Sequence, residues 1–162
     1  MDGKLRNMTS IYLLREDKIL LLHRIGSKVV GNSYVGAAGG HFEPDEVNDA
    51  RACVMRELKE ETGLEESALD GLAMRYITLR LKNGEVRQNY YFFARLKDDA
   101  PDFSSNEGEL QWFTPEELWD LEMPFTAKHM LRHYFAEGKD TGLLYGGGST
   151  EFGAAFVPLE EF

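Results

Sequence analysis

GGHFEPDEVNDARACVMRELKEETGL, residues 39–64, sets a double glycine ahead of a run in which Glu57, Glu60 and Glu61 crowd together at helical spacing. Asp49 suits an N-cap and Gly63 a stop, so the stretch predicts a helix from Asn48 or Asp49 to Thr62. Like charges three and four residues apart destabilise a helix slightly, so something of opposite sign must compensate. At about 100° per residue the three glutamates share one sector, and nearer the N-terminus the same sector holds Ala50, Cys53 and Val54. A solvated face would stay polar along its length, its acids paired with Arg56 and Lys59. This face begins small and apolar and ends in carboxylates, which predicts the wall of a pocket. Half-buried carboxylates this close need a counterion, and hard oxygen donors suit Mg2+, with Mn2+ as the alternative.

On the N-terminal side, Thr9–Leu14 and Lys18–His23 read as two strands joined at Glu16-Asp17, followed by a glycine-rich loop over 26–46 that includes a short strand near Tyr34–Ala38. On the C-terminal side, Leu72–Leu81 and Val86–Leu96 read as strands joined by Asn83-Gly84, a pair suited to the positive φ angles of a type I′ turn. The polar stretch KDDAPDFSSNEGE, residues 97–109, reads as a functional loop ahead of a brief strand at Leu110–Phe113. Thr114-Pro115-Glu116-Glu117 opens a short helix, and a second helix is expected over Thr126–Glu137 with Gly138 ending it. From Tyr145 onward the chain reads as a weak strand or an extended arm. Its apolar part around Phe152–Val157 is expected to pack on its own domain or on a second copy, so a homodimer stays open. The order of elements predicts one domain over residues 1–162, of the α+β class, with a mixed β-sheet sandwiched between helices in α/β/α layers.

A chain of 162 residues buries a real core without staples. Its net charge of −10 argues against a nucleic-acid polymer or an anionic membrane surface as partner, and points to a small molecule met through metal ions or a local basic patch. The lone Cys53, inside a helical pattern, reads as a small buried side chain. The N-terminal apolar run is too short for a signal peptide and no stretch is long enough to span a bilayer, so a cytoplasmic location is expected.

The run Arg56-Glu57-Leu58-Lys59-Glu60-Glu61-Thr62-Gly63-Leu64 resembles the second half of the Nudix box, with every fixed position filled. At strict spacing the box's first glycine and glutamate would fall on Phe42 and Asn48. With two extra residues before Arg56 they fall instead on Gly40 and Glu46, and this alignment is preferred because a loop absorbs an insertion that helical glutamates cannot. The resemblance implies a Nudix hydrolase, which splits a nucleoside diphosphate linked to another group by attack of water on phosphorus. It implies that Glu57, Glu60 and Glu61, with the carbonyl of Gly39, hold the metal, and that Arg56 orients Glu57. It further suggests Glu107, with Glu109 second, as the general base of the loop before Leu110, and Arg24 as a phosphate-binding cation beside His23.

Arg80 and Arg87, flanking the Asn83-Gly84 turn, are further candidates for substrate binding. Asn89, Tyr90, Phe92, Phe93, Trp112 and Phe125 read mainly as packing, and His129 and His133, one turn apart with no third ligand, as surface residues. The proline that marks many ADP-ribose pyrophosphatases and the array of NADH pyrophosphatases are both missing. By elimination the chain resembles the group that hydrolyses nucleoside triphosphates, including oxidised ones such as 8-oxo-dGTP. The rivals are an ADP-ribose or other nucleotide-sugar pyrophosphatase, and a catalytically silent Nudix domain that senses a nucleotide. An isopentenyl diphosphate isomerase would need a loop cysteine, and Cys53 lies in the helix.

Overall fold

The computed structural model describes residues 2–24 and 32–162, so part of the expected glycine-rich loop lies outside the described residues. A mixed eight-stranded sheet carries the fold. β1 (Lys4–Arg15), β2 (Lys18–Arg24), β3 (Ser33–Gly36), β4 (Leu69–Lys82), β5 (Glu85–Leu96), β7 (Leu144–Thr150) and β8 (Gly153–Leu159) lie in the order β3-β2-β1-β5-β4-β7-β8, and β6 (Glu109–Phe113) pairs with β2. β1 begins at Lys4, earlier than its apolar run suggests, because it pairs in parallel with β5 from Lys4↔Glu85 to Leu14↔Arg95. Asn83 and Gly84 close the β4–β5 hairpin with φ of 56° and 74°, as the sequence predicts.

Strand alternation sorts the core into two layers. On one face Ile11, Leu13, Phe92, Ala94 and Leu96 meet Val54 and Leu58 of helix α1 (Ala50–Thr62), together with Leu64 just beyond it. Each fully buried leucine or valine there contributes about 1.5–3 kcal/mol. On the other face Tyr12, Tyr76, Tyr91 and Phe93 meet Met130, Leu131 and Tyr134 of helix α2 (Phe125–Ala136). One helix on each face gives the α/β/α layering.

α1 starts where Asp49 accepts a hydrogen bond from the Ala52 amide at 2.9 Å, and it stops at Gly63, whose φ of 77° is left-handed. The short helix after β6 is a 3-10 helix, Pro115–Asp120, held by a capping box between Thr114 and Glu117. Gly138 does not simply end α2 but opens a further 3-10 turn to Asp140. The tail packs on its own domain as the β7–β8 hairpin, with β7 parallel to β4. The ring of Phe156 covers Gly147 and meets Tyr76 and His133 edge-on or tilted. His133 is therefore no surface residue: its Nδ1 lies 2.7 Å from the buried Tyr76 hydroxyl and its side chain is only 16% exposed. Among the described residues no helix is long and apolar enough to cross a membrane.

Candidate active site

β1 and β2 pair only near their shared turn, from Leu13↔Leu20 to Arg15↔Lys18, and then diverge. The glycine loop enters the gap. The amide of Thr9 takes the Gly40 carbonyl and that of Ile11 takes the Ala38 carbonyl, both at 2.9 Å. By strand alternation the carbonyl of Gly39, between those two, points away from β1. A side chain at Gly39, where φ is 155°, would strike the Thr9 carbonyl, and one at Gly40 would occupy the space of the Glu57 carboxylate. The double glycine thus lets the loop lie flush on β1 and leaves room for Glu57.

Glu57, Glu60 and Glu61 sit in the last turns of α1, where unsatisfied carbonyls already make the helix end negative. Helix electrostatics favours cations there, so the carboxylates are placed against local stability. Glu61 shows the cost. Burial, and then the charge of Glu57, push its carboxyl up to about 7, although the Gly39 amide donates to it at 3.4 Å. Arg24 acts on Glu61 in the opposite sense and pairs with Glu107 at 3.6 Å. The loop carrying Glu107 is docked on α1 by Asn106, whose backbone amide and Nδ2 donate to the carbonyls of Glu61 and Glu60 at 3.1 and 3.2 Å. Asn106 thereby satisfies two of the orphan carbonyls of the helix end. Glu109 pairs with His23 in the β2–β6 ladder, and alternation turns it to the opposite face from Arg24. Only Glu107 of the two joins the cluster.

Arg56 ties the site to the loop before the helix. Its Nε and Nη2 grip both oxygens of Glu46 at 2.7 and 2.9 Å, and Nη1 reaches Glu57 at 2.9 Å and Glu60 at 3.1 Å. Nη2 also donates to the His41 carbonyl at 3.1 Å. The bidentate pair with Arg56 holds the nearly buried Glu46 carboxyl down to about 2. Two successive turns, Glu46 amide to Glu43 carbonyl and Asp49 amide to Glu46 carbonyl, bring Glu46 back to Arg56. Cys53 is fully buried against Thr9 Oγ1 at 3.3 Å, and burial pushes its thiol up to about 11. It is inert packing, as its place in the helix predicts.

The expected residues are thus gathered unevenly. Gly39, Arg56, Glu57, Glu61, Arg24 and Glu107 come together. Glu60 is 58% exposed and turned to Arg56, and among the described residues no three acidic, histidine or cysteine side chains converge tightly enough to cage a metal ion. The donor chemistry nevertheless fits a hard divalent cation: carboxylates at a negative helix end, one kept partly protonated for want of positive charge, beside an outward backbone carbonyl. Arg80 and Arg87 pair directly across the β4–β5 hairpin and share their face with Tyr91 and Phe93, on the α2 side of the sheet. They do not join the carboxylate cluster. Asn106, His41 and Arg6, whose Nε meets the His41 ring at 2.6 Å, escape a sequence reading because their partners lie 35 or more residues away.

The fold has many relatives among solved structures. A MutT protein from Bacillus halodurans superposes with a TM-score of 0.67 at 20% identity, over 93% of this chain and 97% of that one. The E. coli ORF135 protein gives 0.62 at 25% identity, over 83% and 91%. A C. elegans Ap4A hydrolase gives 0.60 at 18% identity, over 82% and 96%. No curated protein sequence matches. A family model described as the NUDIX domain matches residues 4–134, which span the glycine loop, Arg56 and the three glutamates of α1 as well as the sheet that carries them, so this chain belongs to the Nudix hydrolases, a family acting on nucleoside diphosphate-linked substrates with divalent metal ions.

Proposed function

We propose that the chain hydrolyses a nucleoside triphosphate, ordinary or oxidised as in 8-oxo-dGTP, with Mg2+ or alternatively Mn2+, as one Nudix domain acting in the cytoplasm. The observation that carries this reading is the meeting of Glu57, Glu61, Arg24 and Glu107 beside Gly39 at the end of α1. Glu57, Glu60, Glu61 and the Gly39 carbonyl would hold the metal, which when bound neutralises phosphate oxygens and acidifies a water. Arg24 binds a phosphate oxygen of the substrate. Glu107 takes the proton of the attacking water as its oxygen bonds to phosphorus and the anhydride P–O bond breaks, the leaving phosphate departing with that bond's electrons. Arg56 touches no substrate; it positions Glu57. A homodimer belongs to the same reading, with the outermost strand β8, where Val157 is 59% exposed, as its contact, and sedimentation at micromolar concentration reads it out.

The test is release of phosphate or pyrophosphate from dGTP, 8-oxo-dGTP, ADP-ribose and Ap4A, each with Mg2+ and with EDTA. Metal-dependent turnover of the triphosphates at least tenfold above the others is expected. Preferential turnover of ADP-ribose moves the chain to the nucleotide-sugar pyrophosphatases, and absence of all turnover with nucleotide binding intact makes it a silent sensor.

A further inference from the structure

The edge of the sheet opposite the β1–β2 turn carries a feature that the carboxylate site does not use. In the register of the sheet Arg6 of β1 stands beside Arg87 of β5, and Arg87 stands opposite Arg80 of β4. Alternation puts all three guanidiniums on the α2 face, in one row across three adjacent strands. Like charges directly opposite one another in a sheet are destabilising. This row makes two such juxtapositions in a chain whose net charge is −10. Compensation within it is thin. Glu85 accepts from Arg87 Nε at 3.1 Å, and Arg6 spends its Nε on the His41 ring. Arg80 makes no ion pair among the described residues. The neighbouring row is Lys4, Glu85 and Lys82, so Glu85 is the one carboxylate facing five basic side chains across the two rows.

The arginines are half-buried, and the side chain of Arg87 is only 19% exposed. Cations withdrawn from water without matching anions cost stability, and guanidiniums present paired N–H donors that fit a phosphate group. Below them on the same face lie Met8, Asn89 and Thr78, a floor without acidic groups. His41 connects the row to the catalytic cluster, its ring on Arg6 and its carbonyl on Arg56, which in turn holds Glu57. His41 thus links the row to the glycine loop, with the sheet between the row and the carboxylates.

We propose that Arg6, Arg80 and Arg87 form a phosphate-binding site of their own on the α2 face of the sheet, separate from the carboxylate site, which takes a polyphosphate chain. It lies across the sheet from the carboxylates, so its occupant is a polyphosphate separate from the one being cleaved. A lone anion at the carboxylates would need a metal to bind; an anion on the arginine row needs none.

The experiment is calorimetric titration of tripolyphosphate into the protein in EDTA, where no metal-bridged binding competes and no turnover is needed. The wild type is expected to bind saturably. Arg80→Ala, which frees no carboxylate, weakens binding at least fivefold, Arg80→Ala/Arg87→Ala at least tenfold, and Arg80→Lys/Arg87→Lys recovers part of the loss, with unchanged circular dichroism as the control for folding. Absence of wild-type binding at millimolar tripolyphosphate overturns the subsite. So does equal affinity of the double alanine variant, or binding lost only in Arg24→Ala. None of these results depends on whether the carboxylate cluster is catalytic, which the EDTA-sensitive turnover of the wild type reports separately.

Discussion

Glu57→Gln is expected to lower kcat roughly a thousandfold or more, equivalent to about 4 kcal/mol of transition-state stabilisation, while leaving the fold and nucleotide binding nearly intact. Glutamine is the same size, so it fits the space that Gly40 leaves for the Glu57 carboxylate. Arg56 keeps Glu46 and Glu60 as partners, so no buried charge is stranded. What goes is one negative ligand at the point where α1, the glycine loop and Arg56 meet. Steady-state kinetics at saturating Mg2+, together with the urea midpoint, checks both halves. A variant that keeps more than a tenth of wild-type kcat would show that Glu57 does not serve the chemistry.

Glu46→Gln is expected to act through stability first, by about 2–3 kcal/mol at pH 7, because it removes one charge of a nearly buried bidentate pair while Arg56 keeps Glu57 and Glu60 as partners. The pH dependence carries the signature. The folded-state carboxyl lies at about 2 against an ordinary value near 4.5, a depressed pKa. The stabilisation is therefore fully present above about pH 4.5 and is lost as the pH falls toward 2. For the wild type this group accounts for on the order of 2–3 kcal/mol of the loss between pH 5 and pH 2. Urea unfolding across that range should show the steep acid limb in the wild type and a shallower one, by that amount, in the variant. Metal affinity should also fall about 10- to 100-fold, since a guanidinium released from Glu46 competes more strongly for Glu57. Identical acid limbs in the two proteins would refute the assignment.

The contrast between Glu46 and Glu57 follows what could be read from the chain. The helix, its caps, the Asn83-Gly84 turn and the three glutamates are local patterns, each decided within a few residues, and each stands where the sequence places it. The sequence also favours Glu46 over Asn48 as the box glutamate, because turns tolerate two extra residues and helix faces do not; that Arg56 grips Glu46 shows only in the fold. The C-terminal hairpin was not. Gly146, Gly147 and Gly148 carry no alternating pattern, and what holds them is pairing with β4 and the ring of Phe156, supplied by distant segments. His133 was misread for the same reason, since its partner Tyr76 lies 57 residues away. Arg80 and Arg87 were legible as basic residues beside a turn. Their facing α2 rather than the carboxylates depends on register, which only the paired strands fix.

We propose that the carboxylates at the end of α1 form a divalent-cation site whose mutual repulsion the bound ion relieves. Calorimetric titration of Mg2+ into the metal-free protein at pH 6 and pH 8 tests it directly. With Glu61 held near 7 by burial and by Glu57, a proton competes with the ion below that value, so affinity should be markedly weaker at pH 6 than at pH 8. Glu61→Gln should bind weakly at both. Affinity that is equal at the two pH values and unchanged in Glu61→Gln would contradict a metal site built on Glu61.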